Sequence, residues 1–252
     1  MTSITFPPYW QDEFNQPPGT GPDPNKWVLD LGTSGWGNRE LQTYTASREN
    51  SYIVADSDAT NGRALVLRTV KTAAGGYTSA RLKTHGKFAT GHCRVEARIK
   101  LPHGKGIWPA FWMLGDNFDE VSWPACGEID IVELIGHKPD TLYSALHGPG
   151  YSGQHGLTKS TVLPTGAIFS DAYHVFTVDW RPGRIDWFLD SRIYHTATPT
   201  DLPLGTKWIF DNKSFFILLN LAVGGIWPGY PDNTTRFPQE YRIDYVRVYR
   251  PE

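Results

Sequence analysis

Apolar and polar residues alternate with a period of two in several segments of the 252-residue chain. The alternation is clearest over residues 63–70 ("RALVLRTV"), 93–101 ("CRVEARIKL") and 241–250 ("YRIDYVRVYR"). This pattern predicts strands that bury one face. Residues 173–180 and 185–190, joined by the turn sequence "RPGR", predict a β-hairpin.

One further segment, residues 215–225 ("FFILLNLAVGG"), is apolar at almost every position, which is typical of a strand buried on both faces. Helix signals are scarce, and only residues 201–208 predict a helical turn. No apolar run reaches the length of a transmembrane helix. The pattern therefore predicts an all-β fold, a β-sandwich jelly roll of two packed antiparallel sheets.

The composition agrees with many strands and turns, with 10 Trp, 12 Tyr, 12 Phe, 25 Gly and 19 Pro. The turn-rich stretch at residues 15–26 lies too near the start to separate two domains. We therefore predict a single domain over residues 1–252. With a net charge of -2, the chain has no basic field that would indicate nucleic acid, and we expect a monomer with no membrane partner.

Two cysteines, Cys93 and Cys126, allow one disulfide, although a free, buried Cys126 is the simpler expectation. The eight histidines show no zinc spacing. The first residues lack the charged and apolar regions of a signal peptide. Either the protein is cytoplasmic, or a leader has been removed from this sequence.

The most informative stretch is "GEIDIVELIGH", residues 127–137, in which Glu128, Asp130 and Glu133 interrupt a run of β-branched apolar residues. On a regular strand Glu128 and Asp130 share a face and Glu133 points to the other side. A β-bulge that extrudes one residue of 131–132 restores the phase and brings all three acids to one face.

Three acids on one face suit glycoside hydrolysis, which requires one ionised and one protonated carboxyl group beside the scissile bond. Crowding raises the pKa of one of them, since like charges resist joint ionisation. Retention or inversion depends on the distance between the two carboxyl groups, roughly 5–5.5 Å in retaining enzymes. An acidic strand face or a cation site is the alternative explanation of the same residues.

The stretch "GIWPAFWML", residues 106–114, places Trp108 and Trp112 four residues apart and hence on one face of a strand. Their flat faces suit sugar C–H groups, and their N–H groups suit sugar hydroxyls. Three other tryptophans lie in sequence contexts typical of loops, where function is common: Trp36, Trp123 and Trp227. Trp180 and Trp187, within the predicted hairpin, are expected to pack or to lie on the convex face.

The motifs "GEIDIVE", "GIWPAFWML", "WGNRELQTYT" and "YRIDYVRVY" resemble glycoside hydrolase family 16, most of all its bacterial endo-1,3-β-glucanases (laminarinases). The resemblance extends from "YWQDEF" to the C-terminus. It implies a concanavalin A-like jelly roll, secretion, and hydrolysis of a β-glucan. Agar, carrageenan or mixed-linkage glucan is the alternative substrate, and a non-catalytic glucan-binding module is the alternative class.

The resemblance also implies roles for single residues. Glu128 matches the nucleophile, Asp130 the assisting acid and Glu133 the general acid/base of a retaining mechanism. We expect seven residues to bind substrate: Asn38, Arg81, Trp108, Trp112, Trp123, His147 and Trp227. For His147, a packed strand histidine is the alternative. Catalysis needs no cofactor, but a structural Ca²⁺ ion on the convex side would be held by Glu13, the backbone of Gly62, and Asp244.

Overall fold

The structure is a computed structural model and describes residues 7–251. Most of this part of the chain is β-structure. The strands of the first half are β1 (Trp10–Asp12), β2 (Val28–Leu29), β3 (Gln42–Tyr44), β4 (Ser51–Ala55), β5 (Arg63–Lys71), β6 (Tyr77–Ser79), β7 (Arg81–Lys83), β8 (Cys93–Lys100) and β9 (Ile107–Gly115). Those of the second half are β10 (Glu128–Glu133), β11 (Thr141–His147), β12 (Leu157–Val162), β13 (His174–Arg181), β14 (Arg184–Leu189), β15 (Arg192–Ala197), β16 (Phe215–Val223) and β17 (Gln239–Tyr249).

Helical structure within residues 7–251 is limited to single turns. The one α-helical turn is α1 (Phe118–Val121), and 3-10 turns occur at Gly35–Gly37, Gly153–His155 and Pro199–Asp201. The helical turn that the sequence predicts over residues 201–208 therefore overlaps only the end of the last of these. No helix in the described range is long and apolar enough to cross a membrane.

The strands form two sheets, which confirms the predicted all-β sandwich. A ten-stranded sheet has the path β15-β14-β13-β8-β17-β5-β6-β3, with β1 beside β17 and β4 beside β5. A seven-stranded sheet has the order β12-β11-β10-β9-β16-β7-β2. The pairing is antiparallel except between β3 and β6, which are parallel.

The alternating segments are strands because each buries one set of side chains between the two sheets. Val95, Ala97 and Ile99 of β8 are fully buried in this core. The predicted hairpin is confirmed: β13 and β14 pair from Arg181–Arg184 outward, so the loop is Pro182–Gly183. Gly183 has a φ of 66°, which glycine adopts at little cost in a two-residue hairpin.

The seven-stranded sheet positions the candidate site. Its central strand β16 is buried along its whole length, as its uninterrupted apolar sequence predicts. Side chains such as Ile217 and Leu219 enter the core between the sheets, whereas Phe216 and Leu218 pack on the opposite side against Trp112. We call that opposite side, which also carries the acids of β10, the outer face. Cys93 and Cys126 are both free and buried, as expected for Cys126.

Candidate active site

A β-bulge in β10 places the three acids on the outer face. Against β11, Glu128 stands opposite His147, Asp130 opposite Ala145 and Glu133 opposite Tyr143. Between the last two pairs, two residues of β10, Ile131 and Val132, therefore stand opposite one residue of β11, Ser144. A register shift occurs at the same place against β9. The extra residue predicted in 131–132 is thus confirmed.

The bulge forms here because the apolar residues of β10 all enter the core. Ile129, Ile131 and Val132 are at most 1% exposed and belong to the cluster between the sheets. With two consecutive residues buried on the inner side, Glu133 returns to the side of Glu128 and Asp130. Glu128 and Glu133 remain partly exposed, whereas Asp130 between them is only 3% exposed.

His147 is the basic group nearest to the acids. Its Nε2 lies 3.1 Å from Oδ2 of Asp130 and 3.6 Å from Oε1 of Glu128. The Nδ1–Cε1 edge of the ring lies against Gly156, where the Cβ atom of any larger residue would stand 2.3 Å from Cε1 of His147. Gly156 has a φ of -58°, open to any residue, so close approach to His147 is what requires glycine there. The packed-histidine alternative and the site role therefore coincide: His147 is buried and also contacts both acids.

Burial raises the pKa of all three carboxyl groups. Burial first, and then the charge of Asp130, raise the pKa of Glu128 to about 8, while His147 and Arg81 oppose the rise. Burial also raises the pKa of Asp130 to about 8. Burial and the charge of Asp130 hold the pKa of Glu133 well above its usual range. Like charges resist joint ionisation. A negative charge on Glu128 or Asp130, beside His147, therefore favours the protonated form of Glu133.

Trp108 lies on β9 beside the third acid. Its Nε1–H donates to Oε1 of Glu133 at 3.1 Å. Its ring meets the edge of Trp227 at a centroid distance of 5.7 Å, and Trp227 in turn contacts Tyr143 at 5.0 Å. These three rings form an aromatic corner around Glu133. The sequence suited the N–H of Trp108 to a sugar hydroxyl, whereas in this structure the N–H donates to Glu133.

Trp112 is held by a different set of groups. Its Nε1–H donates to Oδ1 of Asn220 at 2.7 Å, so this N–H is also used within the protein. The guanidinium of Arg81 lies between the rings of Trp36 and Trp112, at 4.9 and 5.0 Å from their centroids. Arg81 is further fixed by an ion pair of 3.0 Å with Asp30. One face of Trp112 is therefore covered by a cation, and stacking on sugar is left to the other face.

Asn38 and Trp123 lie on loops at the outer face. Asn38 follows the 3-10 turn of Trp36, and its Nδ2 donates to Oε1 of Glu40 at 3.2 Å. Trp123 is 43% exposed, and its ring centroid lies 6.1 Å from that of His147. Trp227 is 41% exposed on the loop after β16. Trp36, Trp123 and Trp227 are thus on loops, as their sequence contexts predict.

A polar network below Arg81 escaped the sequence analysis. Asn220 donates to the hydroxyl of Tyr44 at 3.3 Å, and Oε2 of Glu40 accepts from Gln42 at 2.6 Å and from Tyr44 at 3.4 Å. Burial raises the pKa of Glu40. The available signal was Asn220, a lone amide in a fully apolar strand, which is rarely buried without partners. The network connects the loop of Asn38 with the orientation of Trp112.

The predicted calcium ligands surround one loop of the chain. Thr60 donates from N and Oγ1 to the carboxylate of Asp244, and Asn61 donates to the carbonyl of Glu13 at 2.6 Å. The carboxylates themselves already face cations: Asp244 lies 2.6 Å from Arg98, and Glu13 accepts two hydrogen bonds from Arg247. As placed, these two side chains do not fit a calcium ion, which would have to displace both arginines.

Within the described residues, a different group could hold a metal ion. One ligand atom from each of Glu128, Asp130 and His147 lies within 4.8 Å of the others. These are, however, the residues that the carboxylate chemistry itself needs. A protonated and an ionised carboxyl group on one face, with aromatic rings on both sides, can protonate a leaving oxygen and attack an acetal carbon.

Comparison with known proteins agrees with this chemistry. Residues 42–247 match the family described as glycosyl hydrolases family 16. The β-glucanase of Rhodothermus marinus is 38% identical over 252 residues, covering 96% of this chain and 84% of that protein. The structure of an endo-β-1,3-glucanase from Pyrococcus furiosus aligns with a TM-score of 0.87 at 47% identity, covering 96% of this chain and 94% of that one. The laminarinase catalytic domain of Thermotoga maritima aligns with a TM-score of 0.87 at 44% identity, covering 97% and 98%.

Proposed function

The chain belongs to glycosyl hydrolase family 16, and from this premise we propose that it is a retaining endo-hydrolase of internal β-1,3-glucosidic bonds in laminarin-like β-glucans. The observation that carries the proposal is the bulge of β10, which brings Glu128, Asp130 and Glu133 to one face, and the pKa of the proposed acid Glu133 is raised there. The names of the similar proteins, a β-glucanase and endo-1,3-β-glucanases, support the substrate class.

In this mechanism Glu128 attacks the anomeric carbon while Glu133 protonates the leaving oxygen. The bond between the sugar and Glu128 is then hydrolysed by a water molecule that Glu133 deprotonates. The raised pKa of Glu133, caused first by burial and then by the charge of Asp130, favours its protonated form and so supports its role as the acid. His147 and Arg81, which oppose the rise in the pKa of Glu128, favour the ionised nucleophile. No cofactor is needed for either step.

Sugar rings would lie across the outer face on both sides of the acids. Trp112 offers one ring face, and Trp108 and Trp227 form a corner beside Glu133. Trp123 and Asn38 stand on loops that border the acids and Arg81. Because the indole N–H groups of Trp108 and Trp112 are used internally, these two rings contribute contact area rather than hydrogen bonds to the sugar.

A substrate panel tests the proposal. Purified protein is incubated with laminarin, curdlan, lichenan and agarose, and reducing ends and product lengths are measured, with Glu128→Gln as the control for contaminating activity. We expect oligosaccharides from laminarin, with the anomeric configuration retained by NMR. Cleavage of agarose instead would indicate the alternative substrate. Binding of laminarin without any release of reducing ends would indicate a glucan-binding module.

We propose that the protein acts outside the cell, because its substrate is a polymer, and that it acts as a monomer. The calcium ion stays a prediction from the resemblance. Melting in CaCl₂ and in EGTA tests it: a rise in melting temperature with calcium that Asp244→Asn removes would support the ion. Equal melting in both solutions would mean that Arg98 and Arg247 serve as the cations at Asp244 and Glu13.

A further inference from the structure

A tryptophan of the opposite sheet contacts the bulge. Trp187 of β14 is fully buried, and its Nε1–H donates to the main-chain carbonyl of Asp130 at 2.8 Å. β14 belongs to the ten-stranded sheet and β10 to the seven-stranded sheet, so this bond crosses the core. Asp130 is the residue at which the register of β10 shifts against both of its neighbours.

The bond has a physical reason. A bulge disrupts the ladder locally, so some main-chain groups lose their place in regular pairing. A carbonyl left unpaired in the core costs free energy comparable to a lost hydrogen bond. The indole N–H of Trp187 supplies a donor at this point, and a side chain is the only way for the opposite sheet to reach it. The bulge is thereby stabilised against the alternative of a regular strand.

The ring of Trp187 is itself held in place. His195 of β15 stacks on it with a centroid distance of 4.3 Å and an interplanar angle of 15°. Nδ1 of His195 shares a hydrogen bond of 2.8 Å with Oγ of Ser144. Ser144 lies on β11 between Tyr143 and Ala145, directly opposite the two bulged residues. Burial lowers the pKa of His195 to about 4, so this stack stays neutral above pH 5.

We propose that Trp187 is a positioning residue for the reaction: it fixes the bulge through the carbonyl of Asp130 and thereby the aim of Glu133 relative to Glu128. It reaches no substrate and acts only through the backbone of β10. The inference rests on the proposed function, because it assigns the bulge a role in glycoside cleavage. It distinguishes Trp187 from Trp27, whose N–H donates to Asp12, and from Trp180, neither of which donates to β10.

Trp180 provides a matched control. It is also fully buried, it lies on the neighbouring strand β13, and its Nε1–H has no hydrogen-bond partner within residues 7–251. Trp180→Phe and Trp187→Phe therefore remove the same atoms from the same sheet, but only the second removes a bond to the bulge. Turnover, KM, the pH profile on laminarin and the melting temperature are measured for both variants and for the wild type.

We expect Trp187→Phe to lower kcat about 10- to 100-fold with KM within about twofold, the size expected when a reacting group is misplaced. The limbs of its pH profile should shift, because Glu133 changes its surroundings. Trp180→Phe should melt lower by a similar amount and keep the wild-type kcat and pH profile. If both variants share the wild-type kcat and pH profile, the proposal is overturned.

Ser144→Ala keeps the proposal testable if Trp187→Phe does not fold. Loss of the Ser144 hydroxyl frees His195 and loosens the stack on Trp187. We therefore expect kcat to decrease about two- to fivefold, and the limbs of the pH profile to shift in the same direction as in Trp187→Phe. A Ser144→Ala protein with unchanged kcat and pH profile would then refute the role. A wild type that cleaves no glucan is a separate result, since it refutes the proposed function and not the contact between Trp187 and the bulge.

Discussion

Acids of the ten-stranded sheet and the three acids of β10 have opposite kinds of neighbours. On and beside the ten-stranded sheet, five carboxylates lie next to arginines: Asp244 with Arg98, Glu13 with Arg247, Asp56 with Arg242, Asp179 with Arg181 and Asp186 with Arg184. On β10, none of the three acids has an ion pair with lysine or arginine in the described part of the chain. Among the basic side chains of this part of the chain, His147 alone lies within ion-pair distance of them, beside Glu128 and Asp130.

The pKa values of the arginine-paired acids and of the β10 acids differ accordingly. At Asp56 burial acts to raise the pKa. Hydrogen bonds from the Arg242 side chain, the Asp58 main chain and the Tyr173 side chain nevertheless bring this pKa below its usual range. At Glu133 burial raises the pKa and the neighbouring acid raises it further. A paired carboxylate is held in its charged form, and the fold loses stability if its partner is removed. An unpaired one can change its protonation state, which is what acid/base catalysis needs.

The largest effect should come from removing the attacking charge. Glu128→Gln keeps the shape of the side chain but not its nucleophilic oxygen, so we expect turnover on laminarin to fall by at least about 10³-fold. Circular dichroism and the melting temperature should show a folded protein. Retention of a substantial fraction of wild-type turnover would place the nucleophile elsewhere.

A smaller, substrate-dependent effect is expected at the acid/base. Glu133→Ala removes protonation of the leaving group, which an aryl glycoside with a good leaving group needs far less than laminarin does. We expect a loss of about 10²-fold or more on laminarin, a milder loss of the first step on the aryl substrate, and rescue of the second step by azide. Equal losses on both substrates without rescue would argue against this role for Glu133.

The role of the arginine-paired acids can be tested at Asp244. Arg98→Ala leaves this fully buried carboxylate without its arginine, and removal of one partner of a buried pair costs about 3 kcal/mol or more. Urea denaturation should show a lower midpoint, while kcat per folded molecule stays at the wild-type value. A large change in kcat at an unchanged midpoint would mean that the paired acids also serve catalysis.

The smallest effect sharpens the contrast through pH. Because the pKa of Glu133 is raised in the folded state, the folded protein binds this proton more tightly than the unfolded chain, and stability falls as pH rises above about 4.3. Glu133→Gln removes this loss. We expect it to melt a few degrees higher than the wild type at pH 8, with little difference at pH 4.5. A larger gain at pH 4.5 than at pH 8 would contradict the raised pKa.

Much of this site follows from local patterns in the sequence. Alternation with a period of two predicted the strands, and the odd spacing of Glu133 predicted the bulge, because side-chain direction along a strand depends only on the count of residues. The loop positions of Trp36, Trp123 and Trp227 were predicted from their glycine-containing sequence contexts, which are also local. The three acids of β10 could therefore be placed on one face without knowledge of any partner strand.

Contacts between distant segments were decided only by the tertiary structure. The donor for the carbonyl of Asp130 comes from Trp187, 57 residues later and in the other sheet. The N–H of Trp112 is bound by Asn220, 108 residues away. Which acids meet an arginine depends likewise on how the sheets and loops pack. No periodic pattern in the sequence indicates such pairs. Whether two such residues meet in space depends on every strand and turn that lies between them.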